Sequence, residues 1–324
     1  MLSQLAIKAN KDIDVVKIAL HLQIRSLEEF EGAERTKIRQ HAFATSVTRI
    51  YAIFESFVNR ALSDYLDFLS DAMTYESLPA GLKDEYRIGI SHVLSKLHHD
   101  RFKNLIHETL VDKYHRAINN FSKYQFVTQA LIRHDANLKL DVITGLFARL
   151  QLKDFDKWIE NNSKIRSLYI DNEKIKERFD AELRKFIQDR NDCSHGLPEN
   201  IGSEASILRY CELIDSAIFA ISTYLNKNII NLKFQSGTAF KVGIVTEVFE
   251  KPRAYVAKIN SGAIIDKENA FYFTEDYDVY SQSFSSIQLN GKIEENILVK
   301  DNDLELGLSG IRLARKNTEI FYMI

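Results

Sequence analysis

The spacing of apolar residues changes once along this 324-residue chain, and that change limits what the chain can fold into. Up to about Tyr224–Asn231 apolar side chains recur at intervals of three and four, the pattern of helices that bury one face. After Ser236 the period falls to two, the pattern of strands. One segment cannot satisfy both periods, so the chain divides into a helical region, 1–235, and a β region, 236–324. Composition shifts at the same place: all nine histidines and both cysteines precede residue 236. The length, about twice that of an ordinary domain, also agrees with two domains.

In VTRIYAIFESFVNRALSDYLDFL the residues Val47, Ile50, Tyr51, Phe54, Val58, Ala61, Leu62, Tyr65 and Leu69 trace one face, which predicts a long, deeply packed helix. Further long helices are predicted over Asp171 to about Ser194 and over Glu204 to Leu225. Shorter ones fill roughly 84–160, LKLDVITGLFARL among them. In the β region the runs KVGIVTEVF, AYVAKI, NAFYF, FSSIQL, LELGL and EIFYM alternate. Turn residues separate them: Pro252, Asn260 to Gly262, Asn290-Gly291 and Asp301-Asn302. Six or seven short strands in so few residues point to a small closed all-β barrel.

Bulk properties exclude several classes. A formal net charge of −2 supplies no global basic field for nucleic acid, so any RNA contact must be local. Cys193 and Cys211 make no disulfide framework and suit a reducing compartment. The opening MLSQLAIKANKDIDVV lacks the apolar core of a signal peptide, and no stretch approaches the length of a membrane span. A cytoplasmic protein is expected. No metal site is expected, because His98 and His99 are adjacent and neither H-E-x-x-H nor paired cysteines occur. No glycine-rich phosphate loop occurs either, so no cofactor is implied.

The segment FIQDRNDCSHGLPENI carries the candidate chemistry. Arg190 and His195 form an R-x4-H pair with Asn191 directly after the arginine. With 18 arginines and nine histidines in the chain such a spacing arises readily by chance, and Arg87 with His92 is a second instance. Arg35/His41 and Arg101/His107 are looser ones. Context separates them. Gly196 and Pro198 end the helix at the first pair, so a terminating turn can bring Arg190 and His195 to one cleft. The partial negative charge of a helix C-terminus also favours imidazolium there. The plainer alternative is a C-terminal cap with a surface ion pair. Glu55 lies at the margin of the apolar face of the first long helix, either as an active-site carboxylate or as a half-exposed helix glutamate.

RNDCSHG between two long helices resembles the signature of the HEPN superfamily, the higher eukaryote and prokaryote nucleotide-binding domains. RIYAIFESFVNRALSDYL and ANLKLDVITGLFARLQLKDF resemble segments of a bacterial HEPN branch found in toxin–antitoxin and phage-defence loci. The resemblance implies a helical bundle and metal-independent RNA cleavage by the substrate's own 2′-hydroxyl. His195 would act as general acid or base, Arg190 would stabilise the phosphorane, and Asn191 would bind phosphate or orient the histidine. Glu55 would orient His195 or pair with Arg190. The implied assembly is a homodimer whose two motifs form an RNA groove, and the implied partners are RNA, tRNA or ribosome-associated RNA among them, and an antitoxin or other regulatory protein. Some HEPN toxins carry a tyrosine two positions after the histidine for nucleotide modification. Leu197 occupies that position here, which speaks against such control.

Residues 240–324 resemble domain 2 of elongation factor Tu, through KVGIVTEVF, AYVAKINSGAI, FSSIQLNGKIEE, DNDLELGL and RKNTEIFYM. Asn302 and Asn317 stand where glycine turns are usual and tolerate left-handed backbone. Asp266-Lys267-Glu268 fits its turn less well. In translation factors this barrel contacts RNA or the ribosome. Here ten basic side chains face 13 acidic ones from residue 236 onward, so a strong phosphate grip is not expected. Lys251, Arg253, Arg312, Arg315 and Lys316 could still form a basic edge; the alternative is a protein-docking module. The expected function is thus a HEPN endoribonuclease acting as a toxin or defence effector. The competing readings are a non-catalytic RNA- or nucleotide-binding adaptor that docks a partner through its barrel, and an antitoxin or dimerisation scaffold.

Overall fold

Long amphipathic helices can bury their apolar stripes only against one another, and the computed structural model shows how this chain does so. It describes residues 2–121, 123–134, 136–169, 171, 173–194, 196, 202–251 and 253–323, with no account of the Arg101 side chain. These residues fall into two compact units, Met1–Leu225 and Asn226–Ile324. No helix among them is long and apolar enough to cross a membrane.

The first unit is helical. Helix α1 covers Ser3–Ser26 and α2 Gly32–Ala72, a rod about 60 Å long at 1.5 Å per residue. All nine residues read as one face of α2 are buried, Val47, Phe54, Val58 and Leu62 completely. Helix α1 escaped the sequence reading because it has two apolar faces. Ala9, Ile13, Val16 and Leu20 are buried, while Ile7, Val15, Ile18 and Leu22 remain exposed and blur the stripe. The middle of the chain holds α3 Ala80–Ser95, α4 His107–Ile118, α5 Thr128–Leu131, α6 Leu140–Arg149, α7 Phe155–Asn161 and α8 Ser163–Arg166. Asn162 starts α8 by accepting from Lys164 N at 3.1 Å and Ile165 N at 3.4 Å, a side-chain N-cap. Helix α9, Ile175–Ser194, buries Ile175, Phe179, Leu183, Phe186 and Ile187 and packs on α2.

Helix α10 spans Glu204–Gln235, ten residues beyond the expected end at Leu225. Apolar Ile229 and Ile230 continue its buried pattern, and Asn226 onward belongs to the second unit. There Phe234 meets the Phe321 ring edge-on at 5.8 Å. The Lys227 ammonium donates to Glu275 O at 2.9 Å and Asp276 O at 2.8 Å.

The second unit holds ten strands: β1 Ala239–Phe249, β2 Ala254–Ile259, β3 Ile264–Asp266, β4 Phe271–Thr274, β5 Val279–Gln282, β6 Phe284–Leu289, β7 Lys292–Glu294, β8 Asn296–Leu298, β9 Leu304–Gly310 and β10 Glu319–Met323. The six alternating runs are β1, β2, β4, β6, β9 and β10. The other four, β3, β5, β7 and β8, are short, of three or four residues each. All pairings are antiparallel, in the order β5-β4-β10-β1-β2-β9-β6-β7, with β3 and β8 as a separate pair.

The closed barrel expected from strand number is not formed: the eight-stranded sheet is open, its outer strands β5 and β7 unpaired with each other. It is nonetheless strongly rolled. Phe271 of β4 lies 4.8 Å from Phe284 of β6 across a shared core, although four strands separate β4 from β6 in the order. Register shifts at Lys241/Gly243 and Val245/Glu247 in β1 supply the bend that bulges give an antiparallel strand. At Gly243 a side chain would meet Lys258 O at 2.2 Å, so the bend also needs a glycine.

The turns follow the residue chemistry with one change. Asn290 and Gly291, at φ 51° and 78°, join β6 to β7 as a two-residue hairpin turn. Asn317 is left-handed at φ 67°, as expected. At the other predicted site Asp303, at φ 59°, takes the left-handed position, while Asn302 Oδ1 accepts from Ser261 N at 3.1 Å. The awkward turn after β3 closes on itself: Asp266 Oδ1 accepts from Glu268 N at 2.9 Å. The expected turn residue Pro252 lies outside the described residues.

Candidate active site

Three stretches of the first unit meet at the C-terminal end of α9. Helix α2 supplies Tyr51 and, one turn on, Glu55. The link between α5 and α6 supplies His134, Asn137 and Leu138. The last turns of α9 supply Arg190 and Asn191.

The Arg190 guanidinium lies 4.5 Å from the centre of the Tyr51 ring, a cation–π contact. Its Nη1 donates to Asn191 Oδ1 at 3.2 Å and to Asn137 Oδ1 at 3.5 Å. Asn137 closes the triangle by donating from Nδ2 to Asn191 Oδ1 at 3.0 Å. Arg190 Nε is buried with no hydrogen-bond partner among the described residues. A buried donor on a charged fork is costly to leave idle.

The rest of the site fixes these groups. Tyr51 is almost fully buried, and its hydroxyl accepts from Leu138 N at 3.2 Å and reaches Glu55 Oε1 at 3.5 Å. Burial pushes the Tyr51 phenol above its ordinary range, and Glu55 adds to this. The Leu138 N–H and the Arg190 charge pull the other way. The phenol therefore stays neutral and serves as a support. Behind it, Phe186 lies 6.3 Å from Tyr51 and 5.1 Å from Tyr210, whose hydroxyl donates to Asp189 Oδ2 at 2.6 Å. Asp189 and Arg190 are thus held together in one turn. Ser194 Oγ donates to Arg190 O at 2.9 Å in the last turn of the helix.

The α5–α6 link is pinned by two arginines. Arg149 Nη1 donates to Leu131 O at 2.9 Å and Arg133 O at 2.8 Å, and Arg133 pairs with Glu85 at 3.1 Å. Gly89 of α3 lets Ala130 O approach to where a side chain would stand, 2.0 Å from an added Cβ. Beside this link an open cleft of about 780 Å³ is lined by Glu55, Asn59, Gln129, His134, Asn137 and Lys139, among others. Its lining is polar but carries few charges.

Of the expected site residues, Arg190 and Asn191 are in direct contact, and Glu55 reaches them through Tyr51. Among the described residues no ion pair joins Glu55 to Arg190; Glu55 is met by the Tyr51 hydroxyl instead. His195, which follows Ser194 in sequence, lies outside the described residues, as do Leu197 and Pro198. Gly196 has φ 147°, a backbone setting that favours glycine. Tyr51, Asn137 and His134 were not singled out. Tyr51 read as core, and the only signal for Asn137 was its place in the stretch ANLKLDV. The rival Arg87 instead faces Asp84 at 3.6 Å on the exposed side of α3. Among the described residues no cluster of His, Cys, Asp and Glu could hold a metal ion.

In the second unit the five cations suggested for RNA binding are not equivalent. Arg312 pairs with Asp278 at 2.7 Å and stacks 4.0 Å over the Tyr280 ring. Arg315 lies 3.5 Å from buried Glu275. Lys251, Arg253 and Lys316 are exposed, the first two in the β1–β2 connection.

Glu55, Arg190 and Asn191 all lie in the helical part of the chain that a family model matches. The chain belongs to the MAE_28990-like HEPN family, whose model matches residues 4–230. HEPN domains are in general ribonucleases, which gives the chain a nuclease-type superfamily. The match ends before the first strand. No curated protein matches the chain.

Proposed function

We propose that the chain is a metal-independent endoribonuclease whose active site combines Arg190, Asn191 and His195, with Glu55 and Tyr51 as supports. The observation that carries this reading is the state of Arg190. Its guanidinium is oriented by Tyr51, Asn137 and Asn191, and Asn137 in turn lines the open cleft. A charged planar fork held in this way is suited to a phosphorane oxygen.

In the proposed reaction the 2′-hydroxyl of RNA attacks the adjacent phosphorus. The O2′–P bond forms, the P–O5′ bond breaks, one proton leaves O2′ and one reaches O5′. His195 carries one of these transfers. The products are a 2′,3′-cyclic phosphate and a 5′-hydroxyl, and DNA, lacking the attacking group, is spared. A toxin or phage-defence role, a tRNA target, a facing second copy and RNA presentation by the β region, with its likeness to domain 2 of elongation factor Tu, belong to the same proposal. They rest on the family resemblance.

The test is cleavage of RNA by the purified full chain in EDTA. Arg190→Ala and His195→Ala should each abolish cutting while leaving the helical signal in circular dichroism unchanged. If both variants cut as fast as the parent, the assignment is wrong. Sequencing the RNA ends reports target and product chemistry together.

A further inference from the structure

Helix α4 ends in a turn that holds one aromatic ring out toward solvent. Asn120 is left-handed at φ 54°, its N–H donates to Ala117 O at 3.0 Å, and Phe121 N donates back to Arg116 O at 3.1 Å. This pair of bonds folds the residue after the left-handed one over the last turn of the helix. Phe121 accordingly rests there, 5.4 Å from the Arg116 guanidinium and 6.0 Å from the His115 ring. The α2–α3 link clamps the same turn: Asn120 Oδ1 accepts from Glu76 N at 3.0 Å, and its Nδ2 donates to Glu76 Oε2 at 3.3 Å. The backbone before the ring is thus fixed by four bonds, yet Phe121 remains 48 % exposed. A large apolar ring held rigidly in water is a feature to explain.

The surroundings of the ring are basic. From Lys96 to Lys123 six basic side chains stand against three acidic ones, in a chain whose formal net charge is −2. Lys103, Arg116 and Lys123 are exposed, and Lys113 and Arg116 share one face of α4. Among the described residues no ion pair engages these four, whereas nearby Arg87 and Arg133 are paired with Asp84 and Glu85.

A groove leads to this surface. Glu55, Asn59 and Ser63 form a polar stripe on α2 that floors the open cleft, and Asp67 carries the stripe into an adjoining cavity of about 360 Å³. The two cavities share Ser63, Thr128 and Gln129, and Asn104, Thr109 and Lys113 line the far one. Arg116 lies beyond Lys113 along α4, with Phe121 packed on it.

We propose that the C-terminal end of α4 is a second RNA-binding site, apart from the reacting atoms, where single-stranded RNA stacks a base on Phe121 and sets its phosphates against Lys103, Lys113, Arg116 and Lys123. Aromatic rings accept any base by its flat face, a neighbouring guanidinium strengthens the stack, and free cations follow the backbone. The strand must be single, because a paired base is already stacked within its duplex. An acidic protein segment would satisfy the cations but has no flat group for the ring. The choice of RNA as ligand rests on the ribonuclease reading, and the site adds to it by holding substrate beyond the cut.

The test uses the full chain and fluorescence anisotropy with labelled single-stranded 2′-O-methyl RNA, which lacks the attacking hydroxyl and reports binding without cleavage. Lengths of about 4 and about 16 nucleotides bracket the usual site sizes of single-strand binders. The long RNA should bind more tightly than the short one. Phe121→Ala should weaken the long RNA about tenfold, the scale of one stacked base, while Phe121→Trp keeps the parent affinity. Lys103→Gln combined with Arg116→Gln should lower the slope of log affinity against log salt by about 1.4, at about 0.7 per phosphate contact. Circular dichroism should show parent helicity in every variant. In cleavage, Phe121→Ala should raise KM for long RNA and leave kcat unchanged. If Phe121→Ala and the double variant bind long RNA as the parent does, the site is refuted, whether or not the chain cuts RNA. Binding that falls with the charges but not with Phe121→Ala also refutes it, leaving a bare electrostatic surface. If the chain cuts no RNA yet binds it through Phe121, the site stands and the ribonuclease reading falls.

Discussion

Phenylalanine at position 51 separates the two tasks of Tyr51, which anchors the α5–α6 link by its hydroxyl and backs Arg190 by its ring. The hydroxyl accepts the Leu138 N–H at 3.2 Å, and Leu138 is fully buried. In Tyr51→Phe that N–H has neither acceptor nor water, and an orphaned buried donor costs about 1–3 kcal/mol. The contact to Glu55, at 3.5 Å, is at the limit of hydrogen-bond length and adds little. Phenylalanine keeps the cation–π support, whereas Tyr51→Leu loses it, an interaction worth about 0.5–2 kcal/mol. Trp158 is the chain's single tryptophan and is buried in the first unit, so its fluorescence follows unfolding of that unit in urea. Tyr51→Phe should lower stability by about 1–3 kcal/mol, with a melting-temperature drop of about 2–4 °C per kcal/mol. Tyr51→Leu should in addition slow single-turnover RNA cleavage about tenfold relative to Tyr51→Phe, the factor that about 1.4 kcal/mol corresponds to, where both are folded. A Tyr51→Phe stability within about 0.5 kcal/mol of the parent, the range of neutral surface changes, would refute the anchoring argument. Equal cleavage by the two variants would refute the role of the ring.

Gly89→Ala tests the fit behind the cleft. Its Cβ would sit 2.0 Å from Ala130 O, so α3 and the α5 segment must separate, and urea unfolding should show a loss of about 1–3 kcal/mol. A gain of about 0.5–1 kcal/mol, the usual sign for glycine to alanine within a helix, would show the contact is not as described. In the second unit, burial lifts the Glu275 carboxyl above its ordinary range against the attraction of Arg312 and Arg315. A folded pKa above the unfolded one gives stability that is full below the ordinary glutamate range and declines as pH rises through the lifted value. Glu275→Gln should flatten that decline in the hydrogen-exchange protection of the sheet. Identical pH slopes in parent and variant would overturn this account.

Legibility in sequence followed the range of each interaction. The nine-residue face of α2, the end of α9 at Ser194 and the six alternating strands could be read because each is a local pattern of period, cap or turn. The ten extra residues of α10 were missed because the helical pattern gives way to the strand pattern without a proline or a capping glycine until Gly237. The open sheet was misread as closed because strand number suggests a barrel, whereas closure requires hydrogen bonds between the two outermost strands, which no alternation encodes.

For the site, the sequence by itself determined the Arg190–Asn191 pair, its place at a helix end and the family to which it belongs. Only the tertiary structure decided what surrounds it. Asn137 lies 53 residues from Arg190, and Tyr51 lies 87 residues from the Leu138 amide it accepts. The polar stripe of Glu55, Asn59 and Ser63 becomes a cleft floor only when the α5–α6 link stands over it. In the same way Arg312 reads as a free cation until Asp278, 34 residues earlier, is found to neutralise it. The physical reason is common to all of these. Periodicity states which side of an element is apolar, but the partner that meets that side, and the charge or hydrogen bond it brings, is set by packing between distant parts of the chain.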